Sequence, residues 1–377
     1  MQTESFEALV IGAGMAGATA AAHLSATRRV ALLEAEDSAG YHSTGRSAAL
    51  WEPNWGNPDI RALTRAARGF LAAPPEGFTE VPLLQPRGAL HLAPEDQLPA
   101  LQDLLEQGDE FRPLTLAEAQ AMVPALRPGY AVAAAHEPGV MEIDVAALHQ
   151  GFLRVLRRQG GALALRHRAG RIWKQNGLWH AETMGGAVHV APILVNAAGA
   201  WGDEVARAAG LRPLGLQPMR RTALIIDPAP WDVAAWPLTG DVGALWYARP
   251  EARGRLMLSP ADETPDPPGD AQPDELDIAI AVDRLTTALD IQVRRVEHSW
   301  AGLRSFLPDR SMAIGAAEEA GFFHMIGQGG YGIQTAPAQG RLLAALVNGE
   351  DPGALAAILP LLDPLRFQPA QPSEVPA

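Results

Sequence analysis

The chain contains no cysteine, which excludes disulfides, thiolate metal sites and iron–sulfur clusters. Lysine is almost absent too: Lys174 is the single one, so the cationic side chains are nearly all arginine. Lys and Arg together number 30 against 43 Asp and Glu, a formal net charge of -13, which argues against nucleic-acid binding through a broad basic surface. No run approaches the ~18–20 apolar residues of a membrane-spanning helix. The first apolar segment, 6–11, runs straight into a glycine motif and leaves no room for a signal peptide. A cytoplasmic protein without a transmembrane segment, a nucleic-acid partner or a bound metal is the expectation. What remains, 377 residues at 47% hydrophobic and 19% charged, suits a globular chain of about two lobes.

Residues 6–34 read as strand, glycine turn, helix, strand: short apolar runs at 6–11 and 30–33 flank an alanine-rich helix over 18–26. A helix is predicted over 58–71, with Asn57 as cap and Pro58 in its first turn. Another starts at Asp144 and stops at Gly160-Gly161. Between them, 81–93 and 130–136 look strand-like around a short helix with a capping box at Thr115 and Glu118. Asn176-Gly177 marks a β-hairpin within 171–191. Strand-like runs follow at 221–226, 243–248 and 255–258, then an acidic surface loop at 262–274 and helices at 275–290 and 336–348. The pattern implies two intertwined parts, one of helix-linked parallel strands and one of antiparallel strands.

Gly12-Ala13-Gly14-Met15-Ala16-Gly17 fits G-x-G-x-x-G in the right context, after an apolar strand and opening a helix. Gly12 allows the tight turn, Gly14 the approach of a pyrophosphate, and Gly17 close packing of helix on strand. Glu34, twenty residues after Gly14, can accept both ribose hydroxyls of an adenosine and would repel a 2′-phosphate, which favours FAD or NAD over NADP. Three further segments could line such a cofactor: 40–49, with His42, Ser43, Thr44, Arg46, Ser47 and Ala48; 194–201, with Ala198, Gly199 and Trp201; and the glycine-rich 327–335. The last leads into a helix whose N-terminus would stabilise an anionic reduced flavin.

On these segments, together with DIRALTRAAR (59–68), DVAALHQGFLR (144–154), RPLGLQPMRR (212–221) and EHSWAGLRSF (297–306), the chain resembles the D-amino-acid oxidase superfamily of flavoproteins, and within it the bacterial D-arginine dehydrogenase type. The resemblance implies an α/β fold with a Rossmann-like FAD-binding domain of glutathione-reductase type, built from 1–80, 141–213 and 300–363. An intertwined antiparallel-β substrate domain would comprise 81–140 and 214–299, and 364–377 would form a loose Pro-rich tail. It implies non-covalent FAD, a cysteinyl link being excluded, with Ala35, Gly329, Gly330, Tyr331, Gly332, Ile333 and Gln334 among its contacts. The activity implied is oxidation of a D-amino acid by hydride transfer from Cα to flavin N5, followed by hydrolysis of the imine to a 2-oxo acid and ammonia.

By the same resemblance Arg221 and Arg304 hold the substrate carboxylate with help from the Tyr247 hydroxyl, and Gly330 and Gly302 offer carbonyls to the amine. Arginine suits this task because its planar fork grips a carboxylate bidentately; an internal salt bridge is the plainer reading of Arg304. Arg220 and Arg221 are adjacent in a strand, so only one can face the site. Gln334 stands near flavin or amine, or caps a helix; His42 is read as structural; Tyr331 flanks the pocket or belongs to the core. Leu50, Trp55 and Ala89 stand where D-arginine-preferring members carry His, Tyr and Glu, so neutral or apolar side chains are expected. The electron acceptor stays open between a quinone and oxygen, with Lys174 placed in a surface hairpin and no other lysine to promote reaction with oxygen. Rival readings are oxidation of secondary amines such as N-methylglycine or of 2-hydroxy acids, an NAD-dependent dehydrogenase, and a flavin-binding module without turnover.

Overall fold

A computed structural model describes residues 3–367. At its centre a six-stranded sheet runs in the order Ala162–Ala164, Val30–Leu33, Ala8–Ile11, Ile193–Asn196, Phe322–Ile326 and Ala313–Ala316. The first five are mutually parallel, and Ala8–Ile11 and Val30–Leu33 are buried along their whole length, as parallel strands covered on both faces must be. The first helix is Met15–Leu24, starting three residues earlier than expected because Gly14 is already extended and opens it directly from the turn. Its small residues let Val145–Arg158 and Ala336–Asn348 pack closely against it: a Cβ on Gly340 would lie 2.3 Å from the Thr19 hydroxyl oxygen.

The helix Pro58–Ala72 forms as predicted, but Asn57 does not cap it. Its side-chain amide instead donates to the Asp309 carbonyl (3.1 Å) and the Ser311 hydroxyl (3.2 Å), fastening the helix start to a distant turn. Asp144 does cap Val145–Arg158, accepting from the Ala147 N–H at 2.8 Å. The capping box at Thr115 and Glu118 is present on Leu116–Met122. An unexpected helix, Leu98–Gln107, precedes it; only Leu101 is buried there, so its apolar pattern is faint. The hairpin pairs Ala169–Gln175 with Leu178–Thr183 through Asn176 and Gly177, both left-handed, the turn that matches strand twist.

Residues 89–137 and 217–306 supply the nine-stranded sheet. Gln217–Ile226 pairs with Val296–Phe306 over their full length and with Arg255–Ser259. The strand expected at 243–248 is instead two, Leu238–Asp241 and Tyr247–Glu251, split by a turn in which the Asp241 carboxylate accepts the Leu245 N–H at 2.7 Å. The sheet is also not wholly antiparallel: Leu238–Asp241 lies parallel to Ala89–Ala93. These strands are far apart in sequence, so no hairpin turn dictates their relative direction. The 262–274 segment is more than a surface loop, because Thr264–Pro265 pairs with Met219 and Arg220, and the Asp262 carboxylate accepts from the Thr222 N–H at 2.7 Å. The tail expected from 364 begins packed, with Pro364 buried in a 3-10 turn ending at Phe367; the rest of it, 368–377, lies outside the described residues. Among the described residues, no single helix is long and apolar enough to cross a membrane.

Candidate active site

A cavity of about 600 Å³ is lined by residues of both large sheets. One end is built on the glycine motif. Gly12 is left-handed (φ 98°), and a Cβ there would sit 2.6 Å from the Ala197 carbonyl oxygen. Gly17 does not line the cavity; it lets the helix settle on the turn. Gly14, Met15 and Ala16 line the wall where the helix N-terminus presents its N–H groups. The Glu34 carboxylate faces the same space, held by the Ala13 N–H (2.8 Å) and the Glu36 N–H (3.0 Å). Its remaining lone pairs are available to a ligand's hydroxyls, and Ala35 continues the wall.

His42, Ser43, Thr44, Arg46, Ser47 and Ala48 all line the cavity, and the side chains of the first four are also engaged within the protein. Thr44 accepts the Met15 N–H at 2.9 Å, and Ser43 donates to the Leu303 carbonyl at 2.7 Å. Arg46 borders the cavity, but its guanidinium turns away to the Ala271 and Ala301 carbonyls (3.0 Å each) and pairs with Asp270. His42 lies 3.1 Å from the Glu36 carboxylate and packs on Trp201, a structural role. Ala198, Gly199 and Trp201 also line the cavity, as do Gly329, Gly330, Gly332, Ile333 and Gln334. The Gln334 side chain is neither free for a ligand nor a helix cap. It accepts the Glu52 N–H at 2.9 Å and donates to the Thr64 hydroxyl at 3.1 Å, a buried brace. Glycine backbone, a helix N-terminus and a paired acid along one long cleft fit FAD.

At the far end the structure brings Arg221, Arg304 and Tyr247 together at the cavity wall with Gly302 and Gly330. Arg304 has no hydrogen-bond or ion-pair partner among the described residues, so the internal salt bridge is not found; its guanidinium carbon lies 5.9 Å from the centre of the Trp55 ring. Arg221 is partly held, by the Asp262 carbonyl (2.8 Å) and Glu263 (3.3 Å). Arg220 points the other way, 2.9 Å from Asp277, as strand alternation requires. Burial of the Arg221 guanidinium and the neighbouring Arg304 charge lower its pKa. Burial would raise the Tyr247 phenol, but the Arg304 and Arg221 charges and hydrogen bonds with Ser259 and Arg221 outweigh it, leaving its pKa lowered. Leu50 and Ala89 form an apolar wall with Val140, Leu238 and Tyr247. Tyr331 is not on that wall; it backs Trp55 edge-on at 5.9 Å.

Four polar residues of the cavity lining carry no local sequence cue: Glu52, Asn54, His91 and Glu137. Glu137 is buried and satisfied by the Asn54 amide (2.7 Å) and the nearby His91 ring (3.2 Å). Glu52 is 7% exposed, and its carboxyl has no hydrogen-bond partner among the described residues. Burial, then repulsion from Glu137, push its pKa from 4.5 to about 8, against the opposing pull of Arg304. The unfolded chain ionises this group from about pH 4.5 while the fold keeps it neutral to about pH 8, so wild-type stability falls as pH rises across that window. A Glu52→Gln variant escapes the penalty. Its gain in unfolding free energy over wild type is expected to grow between pH 5 and pH 9, by up to roughly 4 kcal/mol; a pH-independent difference in denaturant melts would refute the assignment.

Lys174 is bound to Glu319 (2.6 Å) and the Ala320 carbonyl (2.7 Å) in the hairpin and does not line the cavity. Among the described residues, no cluster of three or more His, Asp or Glu is placed to hold a metal ion.

Comparison with known proteins agrees with this architecture. The chain is 28% identical to a glycine oxidase of Pseudomonas aeruginosa, over 96% of this chain and 98% of the relative. It is 27% identical to the tRNA 5-methylaminomethyl-2-thiouridine biosynthesis bifunctional protein of Burkholderia vietnamiensis, over 96% of this chain but 59% of that longer protein. Its fold superposes on the L-proline dehydrogenase of P. horikoshii with a TM-score of 0.83 at 22% identity, covering 97% and 98% of the two chains. The family described as FAD dependent oxidoreductase, DAO, matches residues 7–346, and the chain belongs to it.

Proposed function

We propose that this flavoenzyme oxidises an α-amino acid, of D configuration and with a neutral or apolar side chain, to the imino acid that water then converts to a 2-oxo acid and ammonia. The observation that carries this is Arg304: a guanidinium at the cavity wall with no protein partner, beside a second guanidinium and a phenol. Such a cluster receives one carboxylate. Bound FAD supplies the hydride acceptor; the chain's task is to hold Cα against it. Arg304 and Arg221 fix the carboxylate, Tyr247 adds a donor, the Gly302 and Gly330 backbone borders the amine, and the Leu50–Ala89–Leu238 wall takes the side chain. We assign 1–80, 141–213 and 300–363 to the part that holds FAD, and 81–140 and 214–299 to the part that holds substrate; the separate hydrophobic clusters of the two sheets support that division.

The test is anaerobic mixing of the holoenzyme with a panel of D- and L-amino acids while the visible flavin absorbance is followed. Bleaching by D-leucine or D-phenylalanine but not their enantiomers is expected, and a kcat/KM favouring D-arginine would sink the side-chain assignment. A secondary-amine substrate is the second reading, favoured by a fold shared with an enzyme named for proline; bleaching by N-methylglycine or proline alone would select it. With Lys174 bound to Glu319 and outside the cavity lining, we infer that a quinone rather than oxygen takes the electrons. Reduced enzyme is expected to reoxidise at least ~10-fold faster with a soluble quinone than in air-saturated buffer; equal rates would remove the inference.

A further inference from the structure

We propose that the Glu52 carboxylate binds the substrate's ammonium group and accepts its proton, making Glu52 a catalytic residue of this enzyme. The inference rests on the α-amino-acid reading above and adds a residue to it. Glu52 is buried, lines the cavity and has no hydrogen-bond partner for its carboxyl among the described residues. A buried acid left without a partner is costly unless a ligand completes it.

Its position is complementary to a zwitterion. Arg304 and Glu137 both line the cavity with it and act on its charge in opposite senses. An α-ammonium is joined to the same carbon as the carboxylate, so anchoring the carboxylate at Arg304 brings the ammonium beside the neighbouring acid. Glu137 cannot take this role, since Asn54 and His91 already engage both its oxygens. Its charge instead keeps Glu52 a strong enough base to hold an amine proton. The Glu52 backbone is pinned by Gln334, itself tied to Thr64, which fixes the residue's place in the cavity wall. The charged and titratable groups facing it are Arg304, Glu137 and Tyr331, with Arg221, Tyr247 and His91 further around the wall.

In the step, one N–H bond of the ammonium breaks and its proton passes to a Glu52 oxygen. The freed nitrogen lone pair forms the C=N bond as the Cα–H pair leaves as hydride. FAD, the oxidant, is reduced by those two electrons. Substrate carboxylate on Arg304 also cancels the field that lowers the Glu52 pKa, so binding strengthens the base.

The experiment is stopped-flow reduction of wild-type, Glu52→Gln and Glu52→Asp holoenzymes by the most active neutral amino acid, from pH 6 to 10. For wild type the second-order rate constant should be bell-shaped, rising with a pKa near 8 and falling with that of the free amine. Glu52→Gln should lose roughly 100- to 1000-fold at the wild-type optimum and rise without a maximum, because only the neutral amine can react. Glu52→Asp should keep the bell at an intermediate rate. Binding of 4-methylpentanoate, which has a carboxylate and no amine, should change by less than about 2-fold in Glu52→Gln when read from the flavin spectrum. An unchanged bell in Glu52→Gln overturns the proposal, as does a loss confined to lysine and arginine, which would place Glu52 at a distal side-chain subsite. Should Glu52→Gln fail to hold FAD, a wild-type profile without a limb near 8 overturns it equally. A wild type reduced by no amino acid would instead remove the underlying functional reading.

Discussion

Replacing Arg304 with leucine is expected to lower kcat/KM for an α-amino acid by roughly 100- to 1000-fold, about 3–4 kcal/mol of lost transition-state binding. The size follows from what Arg304 lacks. Its guanidinium makes no internal ion pair among the described residues, so the variant leaves no protein acid stranded and the loss falls on the ligand. Arg221 cannot compensate fully, since Asp262 and Glu263 already draw on its donors. Lysine at 304 should recover only part of the loss, because a point charge cannot reproduce a bidentate fork. Removal of the Arg304 charge also takes away the influence that lowers Glu52, so the rising limb of the pH profile should move to higher pH. Carboxylate binding by the Arg304→Leu holoenzyme within about 3-fold of wild type would refute the anchor assignment.

Gly17→Ala is expected to cost on the order of 4 kcal/mol and to yield protein that is insoluble or free of flavin. A Cβ at Gly17 would lie 1.7 Å from the Gly12 carbonyl oxygen and 2.9 Å from its carbon, both backbone atoms that cannot rotate aside. Relief requires the Met15–Leu24 helix to withdraw from the turn, which removes its N–H groups from the wall where a pyrophosphate would sit. Gly69→Ala is the matched control: the site is exposed, helical and open, with nothing within 4 Å of the added carbon. That change should raise stability by about 0.5–1 kcal/mol. A soluble, yellow Gly17→Ala protein melting within a few degrees of wild type would show that the close packing is dispensable.

Features encoded by neighbouring residues were legible in the sequence. The glycine turn, the Asn176-Gly177 hairpin and the Thr115–Glu118 capping box each need only a few consecutive positions to be specified. The meeting of Arg221 and Arg304 at one cavity wall was legible through family resemblance and strand alternation. Glu52 was not. Its local context, Leu50-Trp51-Glu52-Pro53, carries no mark of burial, and its chemistry arises only where Glu137, Arg304 and Gln334 converge from remote segments. The internal partners of Arg46 and Gln334 have no local signature for the same reason: a side chain's type shows what it can bond to, while the fold decides which partners reach it. The parallel pairing of Ala89–Ala93 with Leu238–Asp241 likewise has no local signature.

The central sheet sets a timetable for synthesis. Ala8–Ile11 finds its neighbour Ile193–Asn196 only after that strand has emerged, and Phe322–Ile326 must come later still. At roughly 5–20 residues per second, the nascent glycine turn waits tens of seconds for the loop at 329–334 that lines the same cavity. Flavin loading therefore belongs to the end of translation, and a ribosome stalled before residue 322 should carry a chain that cannot yet retain the cofactor.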